Sequence, residues 1–285
     1  MLVLSEYLID FPFHIYLLFC SNQNHKLFPS LLTEFDKPWR ETPWDKKELL
    51  DKNLRELKLS DSNVKYIRIL LVGEIGAGKS SFINSVNSAF LGRITTEALA
   101  DSGSGESFTK AVILPFVFND IMGLELEDSH GAHPEDIFNP SASDKNSDCK
   151  SETSPEDLTY CLVYVIAADK VSLMNHEVFK KMKDIRQKAS SLEIPQAVIM
   201  TRVDEACPLV KKSLRKIYTS KKIKEKMQQC SNSVGVPVSH IFPVRNYHEE
   251  IDTQNDMDVL IMRALTQIVH IADDLLNRRK SDSKK

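Results

Sequence analysis

The feature that most constrains this chain is the segment G-E-I-G-A-G-K-S at residues 73–80, which matches the phosphate-binding pattern G-x-x-x-x-G-K-S. An apolar run at residues 67–72 precedes it, and a helical pattern at residues 80–90 follows it. A strand, a glycine-rich turn and a helix in this order are the context in which the pattern is reliable. Successive backbone N–H groups and the N-terminus of the helix then converge on phosphate oxygens. The segment therefore predicts a P-loop in an α/β domain.

The roles expected of the loop residues follow from phosphate chemistry. We expect the Lys79 ammonium to reach the β- and γ-phosphates, and the Ser80 hydroxyl to ligate Mg²⁺. The other residues expected to contact phosphate are Gly73, Glu74, Gly76, Ala77, Gly78 and Ser81. The loop by itself does not distinguish ATP from GTP.

A second motif, D-I-M-G at residues 120–123, follows an apolar strand predicted at residues 112–118. It matches the D-x-x-G sequence of GTPases. Asp120 would hold Mg²⁺ through water, and the N–H of Gly123 would meet the γ-phosphate. The motif is short, but its position directly after a strand and downstream of the P-loop supports this interpretation.

A third motif, T-R-V-D at residues 201–204, predicts recognition of a guanine base. It follows a strand predicted at residues 197–200, at the point where GTPases carry N/T-K-x-D. The Asp204 carboxylate would accept hydrogen bonds from guanine N1–H and the 2-amino group, a match that adenine cannot make. The alternative interpretation is a strand-end aspartate that caps the next helix.

Three other residues complete the predicted base pocket. Thr201 and Arg202 depart from the usual Asn and Lys, which predicts a lower base affinity. The Arg202 guanidinium can cover the face of the base as a lysine stem does. The segment V-R-N-Y at residues 244–247 contributes Asn246, at the place where a backbone N–H usually meets the guanine carbonyl.

Strands and helices alternate along most of the chain. Strands are predicted at residues 67–72, 112–118, 162–167, 197–200 and 240–244, and helices at residues 80–90, 171–190, 208–229 and 257–276. Such alternation predicts a mostly parallel sheet with helices on both faces.

The chain divides into two predicted parts. Residues 1–62 form an N-terminal leader with an amphipathic helix at residues 44–59, whose apolar stripe would pack on the following domain. Residues 63–280 form the nucleotide-binding domain. Within it, residues 125–157 contain ten acidic and two basic residues, a composition that predicts a mobile loop.

Charge and cysteine content exclude several classes of protein. The 37 basic and 40 acidic residues give a net charge of −3, which argues against a general DNA-binding protein. The five cysteines form no C-x-x-C pair, so we expect neither a disulfide scaffold nor a zinc ribbon but a reducing compartment.

No apolar stretch reaches the ~20 residues of a membrane span, and residues 1–20 lack the basic start of a signal peptide. We therefore expect a cytoplasmic protein. A basic stretch at residues 211–226 leaves a membrane- or RNA-binding patch as an alternative.

With these motifs in order, the chain resembles a Ras-like P-loop NTPase G domain and, more narrowly, the interferon-induced protein 44 / 44-like family. The residues that carry the resemblance are P-W-R at 38–40, G-A-G-K-S-S-F-I-N-S-V at 76–86, D-I-M-G-L at 120–124, T-R-V-D at 201–204, N-Y at 246–247 and A-D-D-L-L at 272–276. The resemblance implies a cytoplasmic protein of the immune response that binds GTP or GDP with Mg²⁺ and has an unknown protein partner. It also implies Thr109 as the switch threonine that ligates Mg²⁺, with Thr95 and Thr96 as rivals by distance.

Two departures from Ras-type sequences predict slow or partner-dependent GTP hydrolysis. Ile75 stands where those enzymes have a small residue, and Leu124 stands where a glutamine would orient the attacking water. The chain is therefore at most a slow GTPase. The alternative is a degenerate G domain that acts as a protein-interaction scaffold without hydrolysis.

The spacing between Thr109 and Asp120 leaves little room for the usual second, antiparallel strand of a Ras-like sheet. Two strands and a turn need about twenty residues. We therefore predict that this strand is missing and that residues 112–118 form an exposed, apolar sheet edge open to self-association. The alternative is a splice or gene-model variant that lacks a segment and has impaired switching.

Overall fold

The computed structural model describes residues 33–96, 115–120 and 158–282. In chain order these form helix α1 (Lys47–Arg55), strand β1 (Ile67–Val72), helix α2 (Lys79–Leu91), strands β2 (Phe116–Asp120) and β3 (Thr159–Ala167), helix α3 (His176–Ser191), strand β4 (Gln196–Thr201), helices α4 (Val203–Ala206), α5 (Pro208–Lys212) and α6 (Lys221–Val234), strand β5 (Ile241–Pro243) and helix α7 (Asn255–Asp282). Short 3-10 helices lie at Leu214–Lys216 and Val238–His240.

The described strands form one parallel sheet in the order β2-β1-β3-β4-β5. All nine residues of the central strand β3 are buried, which requires layers of helices on both faces of the sheet. Helix α7 packs against β1, β3, α1 and α2, and helix α3 packs against α6. This architecture confirms the predicted α/β fold, a parallel sheet with helices on both faces.

Strand β2 lies at one edge of the described sheet, beside β1. Its side chains Phe116, Val117 and Phe118 are buried, so these three do not form the exposed apolar surface that we expected there. The predicted strand start at residue 112 and any further strand at residues 97–114 lie outside the described residues, as does the acidic segment 125–157. The missing-strand prediction therefore stays a prediction.

The apolar periodicity of the helices is confirmed by their burial. In α2 the buried residues include Phe82, Ile83, Val86 and Phe90, and in α7 they include Ile261, Leu265, Ile268, Ala272 and Leu275. In α1, Leu54 is buried and Leu50 is partly buried against the core, and Leu57, just after the helix, is partly buried there too. The amphipathic stripe of α1 therefore packs on the domain that follows it, as predicted, although the helix is shorter than residues 44–59.

The predicted continuous helix at residues 208–229 is wrong. Ser213 and Ser220 adopt extended conformations and divide the segment into α5, a 3-10 turn and α6. The Ser220 hydroxyl accepts a hydrogen bond from the N–H of Ile223 and so caps α6, which competes with a continuous helix. The break also buries Ile217 and Tyr218, which a straight basic helix would leave outside the core.

Division of this segment also changes the charge pattern of the predicted basic patch. Lys211 lies 3.5 Å from Glu205, Arg215 pairs with both Asp45 and Asp256, and Lys216 lies 2.8 Å from Glu34. Because these cations have acidic neighbours, the described surface offers less uncompensated positive charge than the sequence alone predicts.

The predicted helix at residues 171–190 begins five residues late, at His176. The side chain of Asn175 accepts a hydrogen bond from the N–H of Glu177 and caps the helix. Residues 168–173 form turns instead, with Val171 buried against the core. The cap is visible in the sequence, but the apolar residues before it favoured an earlier start.

The P-W-R segment anchors the N-terminal part of the described chain. The Arg40 guanidinium donates to the carbonyls of Ile241 and Val238 at 2.9 and 3.0 Å and lies over the ring of Tyr218. Trp39 makes an edge-to-face contact with the same tyrosine. These contacts hold residues 34–40 against β5 and the segment before α6. The domain boundary predicted at residue 62 stays a prediction.

Candidate nucleotide-binding site

The P-loop follows β1 at the carboxyl edge of the sheet. Gly76 and Gly78 have φ angles of 73° and 96°, a left-handed conformation that favours glycine. Gly73 passes so close to β3 that a Cβ atom there would lie 2.3 Å from the Val165 carbonyl oxygen. The sequence therefore places glycine where the curled backbone requires it, and the curl forms the cradle that a phosphate group needs.

Lys79 lies at the start of α2 with its side chain largely buried. Its Nζ donates to the carbonyl oxygen of Gly73 at 3.0 Å, across the curl of the loop, and lies 3.4 Å from that of Glu74. The first turn of α2 also contains Ser80 and Ser81 and has no acidic residue. A helix N-terminus with a nearby ammonium and no carboxylate in its first turn favours an anion.

Thr201, at the end of β4, is joined directly to this loop. Its buried hydroxyl donates to the carbonyl oxygen of Ala77 at 2.6 Å. The threonine that departs from the usual asparagine therefore makes a contact between the T-R-V-D motif and the P-loop.

Arg202 has a left-handed φ of 53° and turns its guanidinium toward the P-loop. Its Nη2 donates to the carbonyl oxygen of Gly76 at 2.9 Å, and its Nη1 lies 3.9 Å from Oδ2 of Asp169. Neither contact was predicted. Asp169 was missed as a site residue, although an acidic residue just after a strand is a signal for this edge of the sheet.

Asp204 lies in the first turn of α4 and forms an ion pair that the sequence analysis did not predict. Its Oδ2 is 3.2 Å from Nε of Arg245, whose Nη2 is 2.7 Å from Oε1 of Glu250. Burial works against the ionised form of Glu250, but the N–H donors of its loop and the Arg245 guanidinium outweigh it and hold the pKa of this carboxyl below its usual range. Arg245 belongs to the V-R-N-Y segment and could have been noticed there.

The V-R-N-Y segment reaches the P-loop through Asn246. Its Nδ2 donates to the carbonyl oxygen of Gly78 at 3.1 Å, and in the described part of the chain its buried Oδ1 has no hydrogen-bond partner. The N–H of Tyr247 donates to Oγ of Ser85 on α2 at 2.9 Å. Motifs after β4 and β5 are therefore both hydrogen-bonded to the same loop.

A buried network supports this segment from behind. The Tyr247 hydroxyl donates to Oδ1 of Asp258 at 2.7 Å, and Nζ of Lys47 lies 2.6 Å from Oδ2 of the same carboxylate. Burial, together with the Asp258 carboxylate, raises the pKa of Tyr247. The network connects the predicted base pocket with α7 and with α1.

The remaining predicted site residues lie on β2, after α2 or outside the described residues. Asp120 ends β2, and its backbone lies opposite Leu71 of β1, at the carboxyl edge that also carries the P-loop. Thr109, Gly123 and Leu124 lie outside the described residues. Thr95 is buried, with its N–H bonded to Oγ of Ser88.

The P-loop region offers polar groups that suit a phosphate-bearing ligand. Among residues 33–96, 115–120 and 158–282, no group of three or more His, Cys, Asp or Glu side chains could hold a metal ion by itself. The loop nevertheless offers a phosphate cradle and an ammonium, and Asn246 adds an unpaired buried oxygen beside it. None of the described helices is long and apolar enough to cross a membrane.

Comparison with known proteins finds relatives along most of the chain. Human interferon-induced protein 44 is 32% identical over 249 residues, which cover 78% of this chain and 56% of the human protein. Human interferon-induced protein 44-like is 27% identical over 250 residues, which cover 79% and 55%. The chain thus spans little more than half the length of these relatives. No protein-family model matches it.

Among solved structures, the chain shows a likeness to Toc33 from Arabidopsis thaliana in complex with GDP and Mg²⁺, with a TM-score of 0.45 and 15% identity over 80% of this chain and 91% of that one. A GTP-binding protein from Sulfolobus solfataricus in complex with GDP has a TM-score of 0.38 and 13% identity over 74% and 53%.

Proposed function

This chain is a relative of the interferon-induced proteins 44 and 44-like, as its motifs predicted, and from that premise we propose that it is a guanine-nucleotide-binding protein of the immune response. Its cofactors would be GTP or GDP with Mg²⁺, and its place of action the cytoplasm. One observation carries the proposal: Thr201 and Asn246 are both hydrogen-bonded to the P-loop. These bonds bring the predicted guanine-reading motifs to the predicted phosphate site.

The phosphate groups would bind in the curl of residues 73–80. Lys79 already holds its ammonium over this curl, through the Gly73 carbonyl, so it needs only a short movement to donate to phosphate oxygens. Phosphate is a stronger acceptor than a neutral carbonyl because it is charged. Ser80 would complete the site as a Mg²⁺ ligand, with Asp120 acting through water.

Asp204 would select guanine over adenine. A carboxylate accepts hydrogen bonds only, so it matches the two donors on the guanine edge. Adenine presents an acceptor at N1 and no 2-amino group, so the lone pairs of Asp204 that Arg245 does not use would gain no donor from the base. A site built to bond a donor rejects a ligand that lacks it by large factors.

The proposal is tested by calorimetric titration of the protein with GDP, GTP, ADP and ATP in Mg²⁺. We expect guanine nucleotides to bind at least about 100-fold more tightly than adenine nucleotides. Asp204→Asn should weaken GDP binding and favour xanthosine diphosphate, whose 2-oxo group accepts from the amide. Asp184→Asn, an exposed change on α3, is the matched control and should leave both affinities unchanged. Equal affinity of the unmodified protein for ADP and GDP would overturn the guanine assignment.

We propose that hydrolysis is slow without a partner. Ile75 is 66% exposed on the P-loop and has no group that could orient water. Leu124, after the D-x-x-G motif, is equally unsuited. Since the Thr201 hydroxyl makes a P-loop contact despite its departure from asparagine, binding of nucleotide is favoured over a degenerate scaffold.

A further inference from the structure

We propose that Arg245 is a positioning residue for guanine recognition, which holds the Asp204 carboxylate in the orientation that reads the base. This inference rests on the proposed function. Arg245 lies outside the contacts expected of the T-R-V-D and N-Y motifs. It would determine how well the pocket distinguishes guanine from bases that have one hydrogen-bond donor fewer.

The first support is the arrangement of three charged side chains after β4 and β5. Nε of Arg245 is 3.2 Å from Oδ2 of Asp204, and Nη2 of Arg245 is 2.7 Å from Oε1 of Glu250. The side chain of Asp204 is only 15% exposed and that of Glu250 only 9%, while that of Arg245 is 33% exposed. Arg245 is thus the cation between two largely buried carboxylates.

The second support is that Arg245 is itself held in place. The other oxygen of Glu250, Oε2, accepts from the N–H groups of His248 and Glu249 at 2.9 and 3.2 Å. The loop backbone therefore orients Glu250, which orients Arg245, which orients Asp204. A planar guanidinium with two fixed partners loses little further rotamer freedom when it holds a third group.

This ion pair is compatible with a bound base. A carboxylate has about four lone-pair sites, of which Arg245 uses one on Oδ2. Enough sites remain for guanine N1–H and for the 2-amino group. Without Arg245, Asp204 could rotate, and it would face the Glu250 carboxylate with no cation between them. Both effects weaken the hydrogen bond from the guanine 2-amino group to Asp204 more than they weaken phosphate binding.

The experiment compares GDP, inosine diphosphate and ADP by titration in Mg²⁺, because inosine lacks the 2-amino group. Arg245→Met should weaken GDP binding about tenfold and reduce the ratio of GDP to inosine diphosphate affinity about threefold or more. Loss of general stability would lower both affinities together and leave their ratio unchanged.

The chain offers a control in Arg215, a more exposed arginine with two carboxylate partners. Its Nε is 3.0 Å from Asp256 and its Nη2 is 3.2 Å from Asp45, so it too bridges two carboxylates, but outside the predicted pocket. Arg215→Met should leave both nucleotide affinities and their ratio unchanged. If Arg245→Met does not fold, Glu250→Gln, which loosens Arg245 without removing it, should lower the ratio in the same direction by a smaller factor.

The outcomes separate this inference from the proposed function. If the unmodified protein prefers GDP to ADP but Arg245→Met keeps the GDP to inosine ratio, the role of Arg245 is refuted and guanine binding stands. Tighter GDP binding by Arg245→Met would also refute it, since Arg245 would then compete with the base. If the unmodified protein does not distinguish GDP from ADP, the proposed function itself fails.

Discussion

Replacement of Lys47 by methionine tests how much the ion pair between α1 and α7 contributes to the stability of the fold. Lys47, in α1, forms an ion pair with Asp258, which is fully buried in α7. Methionine keeps much of the side-chain volume and removes the charge. The Asp258 carboxylate would then remain buried, with the Tyr247 hydroxyl as a donor to its other oxygen.

The magnitude follows from the burial of the pair. Removal of one partner from a buried ion pair costs about 3–5 kcal/mol, since the other charge stays behind unpaired. Two features reduce this value: the Lys47 side chain is 23% exposed, and Tyr247 still donates to Asp258. We therefore expect the free energy of unfolding to fall by about 2–3 kcal/mol. For a domain of this size, that lowers the melting temperature by about 4–12 °C.

The assay is urea denaturation of the full chain, with Lys52→Met as the control because Lys52 is an exposed lysine of the same helix. The double variant Lys47→Met with Asp258→Asn should recover part of the loss, since a neutral amide needs no counter-charge. A loss below about 0.5 kcal/mol in Lys47→Met would refute the reasoning. It would mean that the pair is solvated in solution as a surface pair is.

Three further predictions concern the P-loop, alkaline pH and hydrolysis. Thr201→Val leaves the Ala77 carbonyl without its donor, so the free energy of unfolding should fall by about 1–3 kcal/mol and GDP should bind more weakly in titrations. Thr201→Ser keeps the hydroxyl and should leave the stability and the GDP affinity unchanged. Burial raises the pKa of the Cys161 thiol to about 12. Its contribution to stability is therefore fully present below the pKa of an unfolded cysteine, about 8.5, and is lost as the pH rises from there toward 12. Urea titrations over that range should show a smaller decline for Cys161→Ala. Single-turnover GTP hydrolysis should proceed at or below ~10⁻⁴ s⁻¹, and a rate near 1 s⁻¹ without a partner would contradict the assignment of Leu124 and Ile75.

Local rules were enough to predict much of the scaffold. Strand β1 and helix α2 have nearly the predicted bounds. The apolar run of a strand, the glycine-rich turn and the apolar spacing of a helix are each defined by a few neighbouring residues. The left-handed φ angles of Gly76 and Gly78 likewise follow from the P-loop pattern. Local rules failed where a single polar side chain ended or began a helix, as Ser220 and Asn175 do.

The sequence by itself determined the P-loop, the parallel α/β fold and the candidate guanine-reading residue Asp204, because each depends on residue types in a short, ordered pattern. Only the tertiary structure decided that Thr201 contacts Ala77, that Arg245 lies between two carboxylates, and that Lys47 lies against Asp258. The physical reason is that these partners are separated in the chain and meet only when strand ends and helices pack. Their distances depend on which apolar faces are buried together, and no short pattern records that.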